Sequence, residues 1–358
     1  MKAIVKAAVC PLCSAPSRDS SLADEALYGM AVDILDHPAP GWYRVRTHYR
    51  YEGFAPAACL LLGTRRAERW AAQPKLTVYG KNCCDVLSVP RVQGAHLQSL
   101  TRGGLVVPVG EEENGWQRVA LADGREGYVQ RSILRPNYTA PCREDEAGLR
   151  AALTAAAMTY AGTHYRWGGK SPLGIDCSGL VSMAYMLCGI LIYRDAQIRE
   201  GFPIHEIERA RMAPGDLLFF PGHVAMYLGN GRYCHSTGRA GDDGFTVNSL
   251  DPAAPDYRAD LPGLLTAVGS YFSRSCTPQR QRAARDALPR GAFTCCLFYP
   301  SGSRAGVLAA PGCPALSPPS GVVSLWENSP SRTPRRTKRA VRFSTSSALR
   351  PTMSNRQP

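Results

Sequence analysis

The chain is 358 residues long and carries a formal net charge of +13, enough length for several domains, each with its own core. The charge is unevenly spread: residues 275–358 hold 13 Lys and Arg against 2 Asp and Glu, which leaves 29 and 27 in the first 274. That larger part is nearly neutral and gives no reason to expect a nucleic-acid or membrane-surface partner. From the start, "MKAIVKAAVC" is interrupted by Lys6 and does not read as an export signal. No run approaches the roughly 18–20 apolar residues of a membrane helix. The 13 cysteines are odd in number and irregularly spaced, which in a chain of this size argues against a disulfide scaffold and for a reduced, cytoplasmic setting, export being the alternative if a leader lies upstream.

Within the first 140 residues the sequence repeats itself. "GWYRV" at 41–45 recurs as "GWQRV" at 115–119, and "YEGFAPAACL" at 51–60 as "REGYVQRSIL" at 125–134, both 74 residues further on. Short aliphatic runs, "MAVDIL" and "GLVVPV", precede each copy. Each unit reads as several short strands with turns, a small barrel, with Trp42 and Trp116 as plugs and Gly53 and Gly127 at tight turns. The boundaries are set at 1–74 and 75–140. "CPLC" at 10–13 has the spacing of two zinc ligands but lacks a second pair, and no metal or cofactor is expected.

From residue 141 the character changes. "EAGLRAALTAAAMTYAG" has the composition of a helix. "YRWGG" is a loop, and "CSGLVSMAYMLCG" repeats its apolar positions at helical spacing. Two strands, "HVAMYLG" (223–229) and "RYCHSTG" (232–238), follow, separated by the hairpin signal Asn230-Gly231. This is a helix-then-sheet α+β domain over 141–274. The remainder, 275–358, is rich in Pro, Ser and Arg without a period and is expected to be a disordered basic tail.

One constellation can carry chemistry. Cys177 lies where a helix begins, a place that favours a thiolate. Alternation along the hairpin can bring His223 and His235 to one side, and a helix packed on that sheet would bring the thiol to the first imidazole with the second holding it. That is the layout of a nucleophile, a base and an orienting group. Asp176, just before that cysteine, suits a helix cap.

The series "YRWGG…DCSGLV…APGDLLFF…HVAMYLGNGRYCHSTG" resembles the NlpC-type cysteine peptidases, which have a papain-like core. Members preceded by two bacterial SH3-like domains are γ-D-glutamyl-L-diamino acid endopeptidases. The resemblance implies two all-β SH3-like barrels, an α+β papain-like peptidase domain, and hydrolysis of the γ-D-glutamyl-diamino acid bond in peptidoglycan stem peptides. It implies Cys177 as nucleophile, His223 as general base and His235 as the orienting member. Asp176, Ser178 and Tyr51 fall at positions that hold the free amine of a terminal L-alanine, and Tyr165 at one lining the pocket. Where relatives carry an acid early in the first barrel, this chain has Ser21, with Glu25 as the possible substitute. Two other readings are an inactive wall-binding module and an amidase or acyltransferase on the same core.

Overall fold

The computed structural model describes residues 1–272; the expected tail lies outside the described residues. The first β domain has seven strands, β1 (Lys2–Val5), β2 (Val9–Cys13), β3 (Leu22–Leu27), β4 (Ala31–Ala39), β5 (Trp42–Thr47), β6 (Glu52–Pro56) and β7 (Leu60–Leu62). The second repeats the set as β8 (Leu76–Val78), β9 (Cys83–Leu87), β10 (His96–Thr101), β11 (Leu105–Glu113), β12 (Trp116–Ala120), β13 (Glu126–Gln130) and β14 (Leu134–Pro136). Their antiparallel orders, β3-β2-β6-β5-β4-β1-β7 and β10-β9-β13-β12-β11-β8-β14, are the same order shifted by seven strands. The repeat seen in the sequence is thus a repeat of topology.

Two local expectations are corrected. Trp42 and Trp116 are only half-buried; the interior is filled instead by small aliphatic residues such as Val45 and Val119. Gly53 and Gly127 lie inside β6 and β13, not in turns, where a Cβ would meet Leu12 at 2.9 Å and Val86 at 2.6 Å. The first boundary also hides a helix, α1 (Thr64–Ala72). Its Trp70 is buried and donates to the Gly29 carbonyl at 2.7 Å, seating the linker against the first domain.

The third domain begins with α2 (Glu146–Met158), capped by Asp145. A short hairpin, β15 (Lys170–Ser171) and β16 (Gly174–Ile175), leads into α3 (Cys177–Leu187). Then come β17 (His205–Ile207), β18 (Leu217–Phe220), β19 (His223–Gly229), β20 (Arg232–Thr237), β21 (Gly244–Ser249) and β22 (Ala267–Ser270), in the order β17-β22-β18-β19-β20-β21. The β19–β20 turn uses Asn230 and Gly231, both at positive φ, the conformation a two-residue hairpin needs.

The sequence pattern gives α3 one apolar face, yet ten of its eleven residues are buried. The surroundings explain the difference: one hydrophobic core runs from the first β domain through α2 and α3 to β18–β20, with Val5, Leu12 and Val45 continuous with Leu153, Leu180 and Val224. The second β domain fills a separate cluster around Val86, Val119 and Val129.

Candidate active site

Cys177 is the first residue of α3, and the residue before it caps the helix: the Asp176 carboxylate accepts from the Gly179 N–H at 2.5 Å. The thiol is buried, and the backbone N–H groups of Val224 and Ser178 point at its sulfur. Burial, and after it the Asp176 charge, push the thiol up to about 11, against the pull of those two N–H groups and Arg194. A thiol with that value is protonated at neutral pH and needs a base to become a nucleophile.

A hydrogen-bonded chain along β19, β20 and β21 offers an imidazole suited to that task. Asn248 donates through Nδ2 to the Asp256 carbonyl at 2.9 Å, so its Oδ1 is the acceptor facing His235 Nε2 at 2.9 Å. His235 therefore carries its proton on Nε2 and offers a lone pair at Nδ1. His223 Nε2, 2.7 Å away, donates to that lone pair. The neutral His223 ring is left with its own lone pair on Nδ1, the form in which an imidazole accepts a thiol proton. Burial drives both rings toward neutrality: His223 is lowered to about 3, with His235 and Arg258 adding to the effect, and His235 to about 4.

The helix covers the opposite side of the sheet from the one the histidines occupy. Val224, Met226 and Cys234 pack in the core with α3, while His223 and His235 stand on the other face with Phe220, Tyr227 and Tyr233. The thiol meets the sheet at the beginning of β19, where Val224 follows His223. No hydrogen bond joins Cys177 Sγ to the His223 ring among the described residues; catalytic bonds of this kind commonly tighten only when substrate is bound.

Behind the thiol lies a buried ionic network shared by two domains. Arg194, 2 % exposed, donates to Asp176 through Nη1 at 3.0 Å and Nη2 at 3.1 Å, to Ser178 Oγ at 2.7 Å, and to Asp24 of the first β domain at 2.6 Å. Asp24 also takes the Lys170 ammonium at 3.0 Å and the Tyr49 hydroxyl at 2.5 Å. Burial alone would raise the Asp24 carboxyl, but Lys170 and Arg194 outweigh it and hold it below the usual carboxylate range. Glu25 faces the same interface, accepting from the Lys170 and Ser171 N–H groups at 2.9 and 3.1 Å and from Arg166 at 3.1 Å. Removing one partner from such a network leaves a buried charge unpaired, which is why these groups are strongly coupled.

In front of the thiol opens a cleft of about 560 Å³, a size suited to a small molecule. The first β domain lines it with Ser21, Leu22, Ala23 and Tyr51; the peptidase domain adds Tyr165, Trp167, Asp176, Cys177, Ser178 and Asp195. The Tyr51 hydroxyl donates to Asp195 Oδ1 at 3.3 Å. The Tyr165 phenol is pushed up to about 12 by burial and by the nearby Cys177 and Asp176, so it stays a hydrogen-bond donor at the edge of the cleft.

Of the residues singled out in the sequence, Cys177, Asp176, Ser178, Tyr51 and Tyr165 line this one cleft, with Ser21 beside them. His223 and His235 bond each other at 2.7 Å next to it. Glu25 does not substitute for a cleft acid: it is 2 % exposed and bound at the domain interface. Asp176 and Ser178 have their polar atoms engaged by Arg194 and by each other. Sequence reasoning missed Arg194, Asp24, Asp195 and Asn248. Two signals were available: adjacent acids within the strand "LADEAL", where alternation must bury one, and the charged pair ending the apolar run "ILIYRD".

A buried thiol at a helix start, backed by an imidazole chain and opening on a peptide-sized cleft, defines a cysteine peptidase. Residues 162–254 match the NlpC/P60 family, and residues 12–60 match the bacterial dipeptidyl-peptidase Sh3 domain. The chain is 44 % identical over 275 residues to dipeptidyl-peptidase 6 of Lysinibacillus sphaericus, spanning 76 % of this chain and 100 % of that protein. It is 25 % identical over 240 residues to the gamma-D-glutamyl-L-lysine dipeptidyl-peptidase of Bacillus cereus, covering 61 % of this chain and 68 % of the relative. The crystal structure of an NlpC/P60 family protein from Bacillus cereus superposes with a TM-score of 0.63 at 22 % identity, over 76 % of this chain and 100 % of that one, a likeness of fold. The chain belongs to the NlpC/P60 family.

Proposed function

We propose that this protein is an endopeptidase that cuts the γ-D-glutamyl-diamino acid bond of peptidoglycan stem peptides bearing a free N-terminal L-alanine, releasing L-Ala-D-Glu. The observation that carries this reading is the Tyr51–Asp195 pair. A tyrosine of one domain and a carboxylate of another are hydrogen-bonded in the cleft of the thiol, where the first β domain forms a wall. A phenol oxygen and a carboxylate together suit a substrate ammonium. The ammonium is assigned to Tyr51 and Asp195 and not to Asp176 and Ser178, whose partners are already supplied by Arg194.

In this reading Cys177 passes its proton to Nδ1 of His223, and the sulfur attacks the γ-carbonyl carbon of D-glutamate. Backbone N–H groups at the start of α3 stabilise the oxyanion, each good donor contributing on the order of 3–4 kcal/mol. As the C–N bond breaks, His223 returns the proton to the leaving amine of the diamino acid. Water, deprotonated by the same ring, then hydrolyses the thioester and restores the thiol. His235, fixed by Asn248, keeps the ring in the required tautomer throughout.

Mass spectrometry of L-Ala-γ-D-Glu-diaminopimelate incubated with the full chain tests this. The expected products are L-Ala-D-Glu and free diaminopimelate, with turnover by Cys177→Ala lower by about 10⁴-fold or more, the scale on which nucleophile removal acts. Cleavage at the alanyl bond, or equal turnover by both proteins, would refute it.

A further inference from the structure

Tyr51 is preceded by a residue in an unusual conformation. In the turn from β5 to β6, the Arg50 N–H donates to the Thr47 carbonyl at 2.9 Å, the Tyr51 N–H donates to Thr47 Oγ1 at 3.0 Å, and Arg50 has φ 65°. This is the left-handed region, which L side chains enter at a cost and glycine does not. The duplicated turn of the second β domain places Gly124 at the matching position, 74 residues on, with φ 93° and nothing within 4 Å of where a Cβ would be. The same turn is thus made with glycine where nothing is asked of the side chain, and with arginine where the side chain touches the peptidase domain. Local strain of this sort points to a use for the residue that bears it.

The Arg50 side chain reaches one loop. Nη2 donates to the Gly201 carbonyl at 2.5 Å, and the guanidinium carbon lies 3.8 Å over the ring of Phe202. Phe202 in turn packs edge-on against Tyr193 at 5.2 Å. Six residues before Gly201 is Asp195, held by Tyr51. Two neighbouring residues of one turn therefore grip both ends of the segment 195–202. That segment has no strand or helix of its own and only two internal backbone bonds, Gln197 to Asp195 and Phe202 to Arg199. Its path depends on outside ties.

We propose that Arg50 is a positioning residue for substrate selection: by fastening the Gly201–Phe202 end of this loop to the first β domain, it holds Asp195 beside Tyr51 and so forms the ammonium subsite. This rests on the proposed preference for a free L-alanine terminus. The role belongs to binding, since Arg50 is not among the residues lining the cleft of the thiol and acts through Asp195.

The test uses the full chain with Arg50→Gly, a substitution that suits the backbone at φ 65° and removes the whole side chain with its guanidinium. Its melting temperature is expected to equal or exceed that of wild type. Its KM for L-Ala-γ-D-Glu-diaminopimelate is expected to rise about 5- to 10-fold with kcat within about twofold, the pattern of a lost binding contribution. Selectivity for the free over the N-acetylated peptide should fall by the same factor. Arg50→Lys, which keeps a donor but stacks poorly, should lie between the two. Unchanged KM and selectivity in Arg50→Gly would overturn the inference, as would a parallel fall of kcat and melting temperature in both variants. If wild type itself shows no preference for the free terminus, it is the functional reading that fails; if wild type prefers it and Arg50→Gly does so equally, only the role of Arg50 fails.

Discussion

The two β domains share strand order and a 74-residue repeat, yet they relate to the peptidase domain differently. The first merges its core with that of α3 and sends Asp24, Glu25, Arg50 and Tyr51 across the interface. The second buries its core in a cluster apart from α3, shared with Ile4 and Tyr28 of the first, and meets the peptidase domain with Tyr79 and Leu105 and with arginines that bond backbone carbonyls, Arg102 to Thr159 and Arg135 to Leu187. The position of Tyr51 is taken in the copy by Arg125, which folds back on Asp123 at 2.7 Å. Duplication thus supplied two equal frames, and a handful of polar side chains made one of them part of the catalytic cleft while the other became a support.

The contrast can be broken most severely at the buried charges. Asp24→Asn removes the acid that both Lys170 and Arg194 face, and is expected to lower stability by about 3–5 kcal/mol, the cost of leaving buried charges unpaired. Arg102→Ala in the second domain loses hydrogen bonds to two carbonyls and should cost only about 1–3 kcal/mol. Chemical denaturation of both variants compares them, and equal losses would mean that the two interfaces are energetically alike. Acidification probes the same acid without mutation. The Asp24 carboxyl is held below its unfolded value, so its contribution is present above about pH 4 and is lost as pH falls through the depressed folded value.

A smaller and more specific difference is expected at the paired turn positions. Tyr51→Phe should raise KM about 10-fold, close to the 1.4 kcal/mol of one polar contact to a charged group. Arg125→Ala at the matching place should leave KM and kcat within about twofold, because surface substitutions away from a site seldom exceed ~0.5 kcal/mol. Steady-state kinetics on the tripeptide reads both, and a KM effect at Arg125 would remove the distinction between the domains.

The mildest effect is in the pH profile. With His223 and His235 held at about 3 and 4, both are neutral across pH 5–7, and histidine titration should produce no limb there. In the proposed reading the substrate presents an ammonium that titrates near ~8, so kcat/KM should decline as pH rises through that value and the cation is lost. An alkaline plateau extending well past pH 9 would argue against ammonium recognition.

What could be seen in the sequence follows the range of the interactions. Cys177, His223 and His235 stand on a helix start and a hairpin, features written in a few consecutive residues, and the structure brings the two rings together as alternation requires. The duplicated domains were legible because two matches share one offset. Arg194, Asp24 and Asp195 showed in the sequence only as charges in apolar runs, and Arg50 not at all, since each acquires its role from a partner 144 to 170 residues away. Asn248 escaped for a related reason: it sits on β21, one strand beyond the hairpin that carried the motif. Trp42 and Trp116 misled because aromatics were given the interior, whereas both are half-buried and the cores are filled by residues such as Leu12, Val45, Leu100 and Val119.

The direct test of a site built jointly by two domains around a free amine is the ratio of kcat/KM for L-Ala-γ-D-Glu-diaminopimelate to that for its N-acetyl derivative. Loss of a charge-assisted contact together with blocking of the cleft wall predicts a ratio of about 10² or more. A ratio near one would contradict the account, because acetylation would then have removed nothing that the first β domain recognises.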